Sequence, residues 1–150
     1  MLKLGKMTDY AITVMAQLSM ESARASASAL AEKTGIPEPT VAKLLKLLAK
    51  ERLVMSERGV AGGYKIVNRD VSVGAIIEAI DGPIAIVACV EEGDVQCSAE
   101  ARCPAKGKWT PVNKAIRDAL FDLKITDMHQ TPPGRKLYQI STGDAHVRHS

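Results

Sequence analysis

Residues 35–67 constrain the fold of this chain more than any other stretch. "GIPEPTVAKLLKLLAK" opens on a glycine and two prolines, then sets Val41, Leu44, Leu45 and Leu48 at i, i+3, i+4 and i+7, the spacing of a helix with one apolar stripe. Pro39 suits a first helical turn, where an amide hydrogen would have no partner anyway. Ahead of it, residues from about Ser28 to Thr34 read as a short helix, with Ser26 or Ser28 as cap and Gly35 as stop. Two helices joined by so tight a turn form a helix-turn-helix. Behind it, "RLVMSERGVAGGYKIVNRD" reads as a strand at 53–56, a turn carrying Gly59, Gly62 and Gly63, and a returning strand at 64–67. A hairpin directly after a helix-turn-helix is a wing.

The flanking sequence supplies the rest of a helical domain. Met7, Ala11, Val14, Met15 and Leu18 recur at helical spacing over 7–20. "VGAIIEAI" at 73–80 is a short apolar helix capped by Ser72 and ended by "DGP". From about Lys108 a longer helix carries Val112, Ala115, Ile116, Ala119, Leu120 and Leu123 as one stripe, too apolar to stand alone. It is expected to pack on the first helix and to pair with its twin in a second chain. The fold class is therefore mainly α: a winged helix-turn-helix (α plus a small β-hairpin wing) with a long C-terminal dimerisation helix. The expected divisions are 1–82 for the DNA-binding domain, 83–104 for a cysteine-bearing loop, 105–126 for the dimerisation helix and 127–150 for a disordered tail.

Charge divides along the same lines. Residues 1–70 hold eleven Lys/Arg against seven Asp/Glu, whereas 71–104 hold one against six. A basic first half is compatible with nucleic acid. With 46% hydrophobic and only 3% aromatic residues, the core must be built from Ala, Leu, Ile and Val. No apolar run reaches about 18 residues and the N-terminus lacks signal-peptide features, so a cytoplasmic protein without a membrane partner is expected.

On a recognition helix, the face opposite the leucine stripe meets the major groove. Glu38 and Pro39 stand at its entry, with Thr40 and Lys43 three apart beyond them. The wing adds Arg58 and, at the end of "RGVAGGY", Tyr64. A solvated helix face is the competing reading for Lys43, Lys46 and Lys50. No phosphate loop or dinucleotide fingerprint is present, and the three histidines, His129, His146 and His149, all fall in the expected tail. A histidine-based catalytic arrangement is thus missing from the folded part, and no enzyme is expected.

All three cysteines lie within "CVEEGDVQCSAEARCP" as C-x7-C-x5-C. Thiolates bind zinc and iron-sulfur clusters alike, a pair of them can serve redox chemistry, and buried ones are inert. Both metals normally take four ligands, so a fourth must come from another residue type or another protomer.

The sequence resembles the Rrf-two family of winged-helix regulators, the group of IscR-like, NsrR-like and RirA-like iron-sulfur proteins. The likeness spans about Leu2 to Met128 and is carried by "KMTDYAITVMAQL", "LAEKTGIPEPTVAKLLKLLAKERLV", "RGVAGGY", "AIIEAIDGPIAI" and the cysteines. Within the family it looks most like regulators of the SUF cluster-assembly system. The resemblance implies a homodimer on a palindromic double-stranded operator, with an iron-sulfur cluster ([2Fe-2S] or [4Fe-4S]) on Cys89, Cys97 and Cys103. It implies a repressor of iron-sulfur assembly or iron-responsive genes; a nitric-oxide or iron sensor of the same family, or a zinc-stabilised or thiol-redox module without a cluster, are the alternatives. Where IscR-like members carry a histidine three residues after the last cysteine, this chain has Lys106. NsrR-like members use an aspartate from the other subunit's first helix, and Asp9 occupies that place. The competing role for Asp9 is a cap or first-turn acid beside the helix dipole.

Overall fold

Gly5 precedes the first helix, α1 (Lys6–Met20), whose buried face of Ala11, Ile12, Val14, Met15 and Leu18 forms one wall of the core. A computed structural model describes residues 3–87, 90, 102–105 and 107–129. The expectations for Cys89 and Cys97, for Lys106, and for the tail beyond 129 with His146 and His149 lie outside the described residues. After α1 come α2 (Ala27–Thr34), α3 (Glu38–Lys50), the strands β1 (Val54–Glu57) and β2 (Gly63–Ile66), α4 (Val73–Asp81), α5 (Trp109–Asp122) and a 3-10 turn at Ile125–His129.

Local chemistry sets these ends. Ser26 Oγ accepts from the Ala29 amide at 3.1 Å, capping α2, and Gly35 at φ 71° closes it with its amide on the Ala31 carbonyl. Pro37 caps α3, and Pro39 sits in its first turn. Val41, Leu44, Leu45 and Leu48 are all fully buried, and each buried leucine contributes about 1.5–3 kcal/mol of transfer free energy. The hairpin pairs Val54 with Ile66 and Glu57 with Gly63, one residue beyond the expected strand start. A third short edge follows the same sheet: Ala25 and Tyr64 exchange both backbone hydrogen bonds, at 2.9 and 2.8 Å.

Two long-range features depart from expectation. First, α5 packs mainly on α4, whereas α1 meets α4 and the 3-10 turn. The reason is Gly74: a Cβ there would lie 2.4 Å from the Phe121 ring, so the glycine lets α5 lie close against α4. Second, α5 ends at Asp122 rather than continuing to 126. Leu123 turns extended because its carbonyl accepts from Val73 N at 2.8 Å, and Ile125 N donates to the Val71 carbonyl at 2.9 Å. That pairing seats Ile125 in the core with no exposure. The following turn runs through Asp127–His129, where a tail was expected. His129 Nε2 meets the hydroxyl of buried Ser19 on α1, so this histidine is part of the fold.

Candidate nucleic-acid interface and the root of the cysteine segment

The burial of the leucine stripe decides which face of α3 meets solvent. Glu38 and Pro39 are exposed at the helix entry, Thr40 is half-buried, and Lys43, Lys46 and Lys50 are exposed along the outer side. No described side chain pairs with Lys43. Beside this unit, Glu21, the residue that ends α1, ties α1 to α2 and to the segment after the wing. Its carboxylate accepts from Gln17 Nε2 at 2.7 Å and Lys33 Nζ at 2.6 Å, while Arg69 Nη2 donates to its backbone carbonyl at 3.0 Å. The Lys33 ammonium and the Gln17 amide hold the Glu21 carboxyl below the usual range.

In the wing, Gly62 N donates to the Gly59 carbonyl at 3.0 Å, closing the tip. A Cβ on Gly62 would stand 2.4 Å from the Glu57 carbonyl oxygen, so only glycine fits this turn. Arg58 is exposed beside it. Glu57 is already paired with Arg24, leaving Arg58 as the cation at the tip itself. Tyr64 differs from the other expected contacts. It packs partly against the core, and its backbone is committed to Ala25.

On the cysteine side, Cys103 is half-buried and not in a disulfide. Asp9 is an exposed first-turn acid of α1, and Gly5, not Asp9, is the N-cap residue. No described side chain bonds the Asp9 carboxylate. Among the described residues no three potential metal donors converge. The donor chemistry nevertheless fits an iron-sulfur group: three thiols in 15 positions and a solvent-facing carboxylate on a rigid helix.

Three residues absent from the sequence reading hold the root of that segment. Thr8, fully buried, donates its hydroxyl to Asp81 Oδ2 at 2.5 Å, joining the start of α1 to the end of α4. From α5, Asn113 Oδ1 accepts from the Ile86 amide and Asn113 Nδ2 donates to the Ile84 carbonyl, both at 3.0 Å. Such contacts span 73 and 27–29 positions, and nothing local signals them. The one sequence cue is a lone amide beside the apolar stripe of α5.

The face of α5 carries the remaining functional feature. None of its residues is buried; Trp109 is 40% and Val112 43% exposed, although the helix is amphipathic. No helix among the described residues is long and apolar enough to cross a membrane.

Comparison with known proteins agrees with this architecture. The family model described as "Iron-dependent Transcriptional regulator" matches residues 4–131. An rrf2-like HTH-type transcriptional regulator of Rhodobacter capsulatus is 32% identical over 130 residues, covering 79% of this chain and 87% of the relative. IscR of Vibrio vulnificus is 28% identical over 132 residues, covering 85% and 77%. Among solved structures, CymR (YrzC), the global cysteine regulator of B. subtilis, superposes with a TM-score of 0.65 at 26% identity, covering 85% of this chain and 96% of that one. T. potens IscR gives 0.64 at 29% identity, covering 85% and 86%. The winged helix-turn-helix and a family match across most of its length show that the chain belongs to the Rrf2 family of transcriptional regulators and is not an enzyme.

Proposed function

We propose that this regulator binds a palindromic operator as a homodimer and is switched by an iron-sulfur cluster held on Cys89, Cys97 and Cys103. Its proposed role is repression of iron-sulfur assembly genes, the SUF system first, or of other iron-responsive genes, in the cytoplasm. The observation that carries the reading is the pairing, in one family member, of a solvent-facing α3 and wing with three clustered thiols. Glu38, Pro39, Thr40 and Lys43 would meet base edges or phosphates, and Arg58 the backbone or minor groove. Tyr64 contributes through what its half-buried ring leaves exposed.

The exposed face of α5 supports the dimer. The amphipathic α5 with no buried residue is a face that a second copy would cover, and a C2 pair would present two α3 helices to two half-sites. Asp9 of the partner subunit is the proposed fourth ligand, a hard oxygen donor that makes a cluster labile to its signal. The cluster, when bound, supplies the redox and iron-dependent chemistry of sensing. The chain's own residues supply the thiols, the carboxylate and the anchoring of the segment between α4 and α5.

Anaerobic purification or reconstitution tests the claim. The expected result is a coloured protein with iron and acid-labile sulfide, whose operator affinity differs between loaded and metal-free dimers. Colourless, iron-free protein after reconstitution overturns the cluster. Zinc in its place, or reversible thiol oxidation controlling DNA affinity, would instead support the zinc-stabilised or thiol-redox alternatives. Loss of visible absorbance on nitric oxide rather than on iron starvation would identify the nitric-oxide sensor.

A further inference from the structure

The segment bearing the thiols leaves α4 through Asp81, Gly82 and Pro83, and this root is fastened on both sides. Thr8 reaches it from α1 through a hydrogen bond to the Asp81 carboxylate, and it does so from a position with no solvent exposure. While that bond is made, the hydroxyl is shielded from water. Gly5 lies beside the same carboxylate, a Cβ there standing 3.8 Å from Oδ2. The start of α1, whose N-cap glycine has no side chain to accept from the free amides, thus has the Asp81 carboxylate beside it in addition to its own first-turn acid, Asp9. From the opposite side Asn113 grips residues 84 and 86 as a neighbouring strand would, one donor and one acceptor used at 3.0 Å each. The Ile84 amide also points to Glu78 Oε1 at 3.4 Å, on the last turns of α4.

We infer that Thr8, Asp81 and Asn113 are positioning residues that make 81–86 a rigid bracket, joining the root of the cysteine segment to α1 and α5 at once. The bracket lies one residue from Asp9 on one side and on the helix with the uncovered apolar face on the other. A change in the thiols that pulls on the root is passed to both. This deepens the proposed function, resting on it for the role of the thiols, although the bonds of the bracket themselves involve no thiol.

Residue-resolved amide exchange on the metal-free full chain tests it. Loss of a hydrogen bond to a partly buried polar group raises the local opening equilibrium by about tenfold. Asn113→Ala is expected to accelerate exchange of the Ile86 amide by about that factor, and Asn113→Asp, which keeps the acceptor, to preserve its protection. Thr8→Val is expected to accelerate the first amides bonded within α1 and Thr8→Ser to restore them, while the core amides of 44–48 stay unchanged. Equal exchange in wild type and both disruptive variants overturns the bracket, as does equal acceleration of the 44–48 amides, which would mean general destabilisation. In reconstituted protein, Asn113→Ala and Thr8→Val are expected to lose visible absorbance to a chelator several-fold faster, an expectation that follows from the same local opening. Accelerated exchange with unchanged release would overturn the positioning of the thiols. A chain that takes up no iron defeats the cluster reading instead, and the exchange data still decide the bracket.

Discussion

Gly74→Ala probes how α5 is carried on α4. An ideal Cβ at position 74 would stand 2.4 Å from Phe121 Cδ2, 2.7 Å from Cε2 and 2.9 Å from Cγ. Carbon atoms rest at about 3.5–4.0 Å, so the ring must retreat by about 1 Å. Overpacking of this kind costs about 1–3 kcal/mol, whereas alanine at position 74, in the first turn of α4, gains over glycine less than the about 0.8–1.0 kcal/mol of a helix interior. Because the ring is half-buried and can yield, the net expected effect is a loss of about 1 kcal/mol, or about 2–4 °C in Tm for a chain of this size. The ring also bears the Arg117 guanidinium at 4.6 Å from its centroid, and Arg117 Nε reaches Glu78 Oε1 on α4 at 3.0 Å. Moving Phe121 therefore tilts α5 and its uncovered face, and dissociation of the proposed dimer should rise with the same substitution. Thermal melting at fixed concentration, with sedimentation equilibrium, measures both. The decisive control is Phe121→Ala: in that background the clash is gone, and Gly74→Ala should raise stability through helix propensity alone. If Gly74→Ala stabilises the wild type as much as it stabilises Phe121→Ala, the steric argument is wrong.

Other outcomes follow from the interface and from Glu21. Arg58→Ala should lower the slope of log affinity against log salt by about 1 without changing sequence preference if, as proposed, the wing-tip cation meets the phosphate backbone. Gly62→Ala should weaken operator binding at least as much as Arg58→Ala and also lower the melting temperature, because its Cβ meets the Glu57 carbonyl oxygen at 2.4 Å and the backbone of the wing must shift to admit it. Lys43→Ala should erode discrimination between operator and unrelated duplex by about 1–3 kcal/mol if it reads a base edge, measured by competition at fixed salt. At Glu21 the folded carboxyl is held below its ordinary value by Lys33 and Gln17, so its stabilisation is present at neutral pH and lost as pH falls through the depressed range. Urea melts should show Lys33→Met costing under about 1 kcal/mol at pH 7, with the difference from wild type shrinking as pH falls below the ordinary carboxylate range.

Short-range chemistry made much of this protein legible from its residues. Ser26 and Gly35 bound α2 because a hydroxyl and a left-handed glycine satisfy orphan backbone groups within three or four positions. The buried face of α3 follows from the spacing of Val41, Leu44, Leu45 and Leu48, and the wing from its glycines and alternating strands. An apolar stripe announces that a face will be covered but carries no address for its partner. For that reason α5 was expected on α1 and instead lies on α4, where the missing Cβ of Gly74 admits Phe121. Likewise, His129 was assigned to a tail, because nothing in its neighbourhood shows that Ile125 will bury and carry the next turn to Ser19. The candidate site divides the same way. Cysteine content and the solvent face of α3 belong to the sequence, readable as composition and period. Thr8 with Asp81, and Asn113 with residues 84 and 86, exist only once helices far apart in the chain are packed together, since a hydrogen bond depends on position in space and leaves no periodic mark.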